Sequence, residues 1–182
     1  RRAGIDVRTG GNIGTPALDL ITEEEPDLYV LELSSFQLET VRSLRPLASV
    51  VLNISDDHLD RYRDLQDYAA AKQVVYRNAG LQVVNLDDPV AAALADESRP
   101  LAGFSEQPPT AGNYGLIEQE GERWLAHGDR PLMPVAGIRM AGGHNCLNAL
   151  AALALGESAG LPLAAMLETL GEFQGLPHRM QF

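Results

Sequence analysis

Along Tyr29-Val30-Leu31-Glu32-Leu33-Ser34-Ser35-Phe36-Gln37-Leu38, a short apolar run passes directly into a helix start. Residues 29–33 lack the alternation of a half-exposed strand, so they predict a strand covered on both faces. Ser34 has the chemistry of an N-cap, and Gln37, three residues on, completes a capping box. Leu38, Val41 and Leu44 supply the buried stripe of the helix that follows.

The same alternation extends in both directions. Toward the N-terminus, Arg1-Arg2-Ala3-Gly4 reads as the last turn of a helix capped by Gly4, followed by a strand over residues 5–8. Gly10-Gly11-Asn12-Ile13-Gly14 then leads toward a helix beginning at Pro16. Toward the C-terminus, residues 49–54 predict a second apolar strand, followed by an acidic loop and a helix over residues 65–78. Residues 81–86 predict a third strand. Strands alternating with helices imply a mainly parallel sheet with helices on both faces.

The texture changes over residues 113–140. Apolar stretches at 114–118 and 123–126 flank Glu120-Gly121, a hairpin signal, and residues 130–140 suggest a Pro-interrupted edge strand. These predict a small antiparallel β-sheet beside the main one. A long Ala/Leu helix over residues 145–159 stops at Gly160, and another follows Pro162 with Leu163, Met166, Leu167 and Leu170. The expected fold class is therefore α/β, a mainly parallel sheet flanked by helices with a small antiparallel addition.

Bulk properties exclude several functions. The 182 residues suit one domain, and a 45% hydrophobic share is ordinary for a globular protein. No apolar run approaches the roughly 20 residues that cross a bilayer. The first residues have no signal-peptide pattern, and Cys146 is the only cysteine, so no internal disulfide is possible. A cytoplasmic protein is the simplest reading. The net charge of −11 argues against a nucleic-acid partner, which needs a basic face. A small anionic ligand is not excluded, because Mg²⁺, helix N-termini and a few arginines can hold one locally.

Of 14 basic residues only Lys72 is a lysine. Either a primary amine is required there, or one lysine has persisted by chance on a helix surface. Tyr68, Lys72 and Tyr76 fall at i, i+4 and i+8, so they share one helix face. Ligands of open α/β sheets bind beyond the carboxyl ends of the strands. Two polar groups reach that edge: Glu32 with Ser34 and Ser35, and Ser55-Asp56-Asp57-His58-Leu59-Asp60-Arg61-Tyr62. A glutamate in an apolar strand is costly unless it is paired or bound to metal. His58 has a ligand role or belongs to a merely solvated loop. Asn145 and Asn148 open the long helix at i and i+3, where they could read a base edge, although capping alone explains Asn145. No G-x-x-x-x-G-K-[ST] occurs, and no Gly-Lys dipeptide. No Ser/His/Asp triad order, thiol nucleophile or HExxH helix stands out.

Taken together, residues 10–14 with Pro16, 31–39, 53–62, 68–72, 144–148 and 175–179 resemble the Mur ligases, in the family's order and over essentially the whole chain. The Gly-Gly-Asn-Ile-Gly and Glu-Leu-Ser-Ser-Phe-Gln-Leu segments resemble its D-glutamate-adding branch. The resemblance implies that ATP phosphorylates the carboxylate of UDP-N-acetylmuramoyl-L-alanine and that the amine of D-glutamate attacks the acyl phosphate. It implies that Glu32 holds Mg²⁺ at the ATP phosphates and that His58 helps place a second Mg²⁺. Lys72 corresponds to the family's lysine that takes up CO₂ as a metal-binding carbamate. Asn12, Ser34 and Gln37 would contact the UDP-sugar substrate, and Asn145, Asn148 and Arg179 the nucleotide. On this basis residues 1–177 are expected to be the ATP-binding central domain without its phosphate loop, and residues 178–182 the linker to a further domain. The fragment alone is expected to be inactive and to bind ATP weakly, and the full-length enzyme to be a monomer. The rival readings are another Mur ligase, a folylpolyglutamate synthase-like ligase, or a non-catalytic nucleotide-binding module.

Overall fold

The capping box at Ser34 forms as the spacing predicts: the Ser34 hydroxyl accepts from the Gln37 amide, and the Gln37 side chain accepts from the Ser34 amide. The computed structural model describes residues 2–55, 60–139 and 143–175. In chain order, β1 is Val7–Gly11, β2 Leu28–Glu32, α1 Ser35–Thr40, β3 Ala48–Val51, α2 Leu65–Gln73 and β4 Leu81–Asn85. Then come α3 Pro89–Ala92, β5 Leu101–Phe104, β6 Tyr114–Gln119, β7 Glu122–His127, β8 Arg130–Pro134, α4 Gly143–Ser158 and α5 Leu163–Glu172.

β1 and β2 pair in parallel as a two-stranded sheet. The other six strands form one sheet in the order β3-β4-β5-β6-β7-β8. Its first four strands run parallel, and β6, β7 and β8 pair antiparallel. The antiparallel strands expected beside the main sheet are therefore continuous with it: Phe104 pairs with Tyr114, and Leu116 N donates to the Gln107 carbonyl at 3.2 Å just beyond. At the tip of the β6–β7 hairpin both Glu120 and Gly121 have positive φ, 54° and 81°, which matches the right-handed twist of the flanking strands.

β4 lies between two cores. Successive side chains of a strand point to opposite faces, and Val83 and Val84 are both buried, one on each side. Val83 packs with Phe104, Leu125, Leu150 and Leu153, which ties α4 to the sheet. Val84 packs with Val51, Tyr62, Tyr68, Tyr76 and Ala91 under α2 and α3. Tyr76 closes this second core: its buried hydroxyl accepts from Val51 N at 2.9 Å and donates to the Val83 carbonyl at 2.9 Å. Burial pushes its pKa up to about 12.

Several elements differ from their expected extents. α1 stops at Thr40, because β-branched Val41 takes an extended backbone, so Val41 and Leu44 lie beyond it. α2 stops at Gln73 and tightens into a 3₁₀ turn, Val74–Tyr76, at its two valines. The helix expected after Pro16 is only a 3₁₀ turn, Ala17–Leu20. The first strand lies later than expected, because Gly10 and Gly11 are themselves paired with β2. The 130–140 strand ends at Pro134, and residues 2–4 form a turn rather than a regular helix. Arg1 and the expected linker at 178–182 fall outside the described residues. β2 is not covered on both faces, for Tyr29, Val30 and Glu32 are exposed.

Candidate active site at the carboxyl ends of the strands

The glycine turn after β1 folds onto the end of β2. Asn12 N donates to the Glu32 carbonyl at 2.7 Å, and Gly11 N donates to the Thr15 carbonyl at 2.8 Å. Gly11 has φ +122°, and a Cβ there would lie 2.1 Å from the Glu32 oxygen. Only glycine permits this approach. The result holds the backbone of Asn12 against that of Glu32, two residues before the Ser34 cap of α1.

Glu32 closes β2 and is exposed, so the expected cost of burying its charge does not arise. What remains is position: an exposed carboxylate at the carboxyl end of a parallel strand. The capping box engages the Ser34 hydroxyl and Gln37 Oε1, so both residues also shape the helix start. Asn12 is exposed on the glycine turn.

Lys72 occupies the last turn of α2, with Nζ 5.1 Å from the centroid of the Tyr68 ring. The i, i+4 pairing expected of Tyr68 and Lys72 is thus present. Tyr76 is not part of that face, because the chain has left the α-helix before it and its hydroxyl is committed to β3 and β4. α4 is already helical at Gly143, which places Asn145 within the first turn rather than at a cap. Asn145 is half-buried and Asn148 exposed. His58, Asp57 and Arg179 lie outside the described residues.

Two sets of contacts were not apparent from the sequence. The exit of β3 is pinned from β4 and α3: Asn85 Nδ2 donates to the Leu52 carbonyl at 2.8 Å, and Ile54 N donates to Asp88 Oδ2 at 2.7 Å. Asp88 also caps α3 through the amides of Val90 and Ala91. The Asp88-Pro89 dipeptide, a cap followed by proline at the first helical position, was the local signal for this anchor. Farther along, Glu39 accepts from both Arg61 and Tyr62. The Arg61 guanidinium, with help from the Tyr62 hydroxyl, holds the Glu39 carboxyl below its ordinary value. Cys146 is buried, and burial pushes its thiol up, against a nucleophilic role.

Among the described residues no group of three or more His, Cys, Asp or Glu side chains could hold a metal ion by itself. That does not conflict with Mg²⁺, which is commonly bound by one or two carboxylates together with substrate phosphates and water. Glu32, a hard oxygen donor open to solvent, fits such a site. No helix among the described residues is long and apolar enough to cross a membrane.

The chain belongs to the Mur ligase middle domain family, whose pattern matches residues 5–156. It is 52% identical over 182 residues to a UDP-N-acetylmuramoylalanine–D-glutamate ligase of Nitrosococcus oceani, covering 100% of this chain and 40% of that protein. A ligase of the same name from Chromohalobacter salexigens is 50% identical, again with 100% and 40% coverage. The chain thus spans about 40% of the length of these relatives. Among solved structures, a UDP-N-acetylmuramoyl-L-alanyl-D-glutamate–2,6-diaminopimelate ligase is 27% identical with a TM-score of 0.67, covering 85% of this chain and 34% of that one. The UDP-N-acetylmuramate:L-alanyl-gamma-D-glutamyl-meso-diaminopimelate ligase of Neisseria meningitides has a TM-score of 0.72 at 21% identity, with 96% and 60% coverage, and shares the fold.

Proposed function

We propose that this chain is the ATP-binding central part of a ligase that joins D-glutamate to UDP-N-acetylmuramoyl-L-alanine through an acyl phosphate, a step of peptidoglycan synthesis. The observation that carries the reading is the Asn12–Glu32 closure. It joins the backbone of the Asn12 turn to that of Glu32, an exposed residue two positions before the Ser34 cap, at the strand ends where α/β proteins bind ligands. The identity of about 50% across the whole chain to ligases of that name supports the choice of substrates.

In this reading residues 1–177 are the central domain and residues 178–182 begin the linker to the next. Glu32 holds Mg²⁺, which when bound neutralises charge on the ATP phosphates. His58 and Lys72, the latter as its CO₂-derived carbamate, would hold a second ion, which would supply positive charge for the acyl-phosphate step. Lysine suits this role and arginine does not, because only an amine is readily carbamylated. Asn12, Ser34 and Gln37 orient the UDP-linked substrate. Asn145, Asn148 and Arg179 bind the nucleotide. Alignment of the reacting groups is the main contribution asked of these side chains. The enzyme acts in the cytoplasm as a monomer.

The test is made on the full-length ligase, with ADP release followed as UDP-N-acetylmuramoyl-L-alanine and D-glutamate are added. Release that requires both, and that falls at least about 100-fold in Glu32→Gln and in Lys72→Arg, is expected, since charge neutralisation of this kind is worth several kcal/mol. Release that ignores D-glutamate, or that survives both substitutions, would refute the proposal.

A further inference from the structure

Glu39 belongs to α1 but takes no part in its capping box. Its Oε2 accepts from Arg61 Nη2 at 2.6 Å, and its Oε1 accepts from the Tyr62 hydroxyl at 2.7 Å. The ion pair with Arg61 is largely exposed, and such pairs add little to stability. The bond to Tyr62 is different in kind. The Tyr62 ring is buried, and its hydroxyl reaches Glu39 through a part-buried bond that ties the ring's position to that carboxylate.

From Tyr62 the contacts continue without a break. Its ring lies parallel to that of Phe36, with centroids 6.2 Å apart, and meets the Tyr68 ring at 5.4 Å with a 47° tilt. Arg61 sits over the other partner, 4.9 Å from the Phe36 centroid. Tyr68 in turn presents its ring to Lys72 Nζ at 5.1 Å. In the unmodified protein the Lys72 ammonium is attracted to that face and is displaced when the ring moves; once carbamylated, its aliphatic stem still packs on the ring. The Ser35 side chain, also buried, is a second polar neighbour of the Tyr62 hydroxyl. Loss of Glu39 would leave Ser35 as a remaining side-chain partner of the hydroxyl, and the ring would shift as the oxygen is drawn toward it.

We propose that Glu39 is a positioning residue for Lys72, acting through Tyr62 and Tyr68. Its functional meaning rests on the role given to Lys72 above, but its physical content does not. The relay joins α1, which carries Ser34 and Gln37, to α2, which carries the amine. It therefore fixes the distance between the cap that shapes the substrate side and the lysine that serves the metal side.

The chain has one lysine, so labelling lysine with ¹³C at Cε yields one side-chain signal in an NMR spectrum of this protein. With Nζ 5.1 Å from the Tyr68 centroid, the ring current is expected to displace that signal from the position of a solvated lysine. In Glu39→Ala and in Tyr62→Phe it is expected to move toward the solvated position, and the double variant is expected to move it no further than either single change. Glu39→Gln keeps an oxygen for the Tyr62 hydroxyl and is expected to restore the wild-type signal. A signal that stays in place in both Glu39→Ala and Tyr62→Phe, with the β4 amides unchanged, would overturn the proposal. So would a displacement in Glu39→Gln as large as in Glu39→Ala. Should Glu39→Ala fail to fold, Tyr62→Phe and Glu39→Gln still decide the matter. The ligase reading fails separately: a full-length enzyme that ligates with Lys72→Ala would end it and leave the NMR result standing.

Discussion

Gly11 and Glu32 are paired across β1 and β2 so closely that no side chain fits between them: a Cβ on Gly11 would lie 2.1 Å from the Glu32 carbonyl oxygen. The same glycine sits at φ +122°. Gly11→Ala therefore combines backbone strain with a clash against main chain that has no freedom to retreat. The expected cost is roughly 3 kcal/mol or more, read as a lower urea midpoint, together with loss of the Asn12–Glu32 hydrogen bond.

Tyr76→Phe leaves Val51 N–H and the Val83 carbonyl without their shared partner inside the core. A loss of about 1–3 kcal/mol is expected from denaturant unfolding. The phenol also predicts a pH dependence. Its folded pKa, about 12, lies above the ordinary 10.0, so the folded state binds the proton more tightly. The contribution is complete below pH 10 and is lost as pH rises toward 12, a decline on the order of 2–3 kcal/mol. Tyr76→Phe should remove that part of the alkaline decline.

Asp88→Ala removes three hydrogen bonds, two that cap α3 and one that holds Ile54 N–H at the exit of β3. Loss of the cap costs about 1 kcal/mol, and the orphaned amide adds about 1–2 kcal/mol. Urea unfolding should show the sum. Amide exchange should accelerate at Ile54 and at the start of α3 before it does in β4.

Glu120→Asn is expected to stabilise the protein. Glu120 is a non-glycine residue at positive φ, a conformation that asparagine tolerates better than glutamate. A gain of about 0.5–1 kcal/mol should raise Tm by roughly 1–4 °C, which calorimetry can resolve.

The features legible in the sequence were those written over a few neighbouring residues. Ser34 and Gln37 announced the capping box by a three-residue spacing, and Glu120-Gly121 announced the hairpin. Lys72 stood out by composition, and its i, i+4 contact with Tyr68 followed from helix geometry. What escaped was set by distant packing. β5 is four residues long, and α3 a single turn, too short for either periodicity to register. The apolar run at 29–33 suggested a strand covered on both faces, but coverage depends on what packs beside it, and β2 belongs to a two-stranded sheet. Glu39 gave no local sign of its partners, which lie 22 and 23 residues away.

The short union of β5 with β6, the Phe104–Tyr114 pair and the Leu116–Gln107 hydrogen bond, has a mechanical corollary. A sheet joined over so short a seam transmits limited shear through its backbone, so a second brace between the parallel and antiparallel halves matters. α4 supplies it by crossing β3, β4, β5 and β6 like a splint. Damage to that helix would loosen both halves at once, whereas the hairpin could flex against the parallel strands without disturbing the Asn12–Glu32 closure.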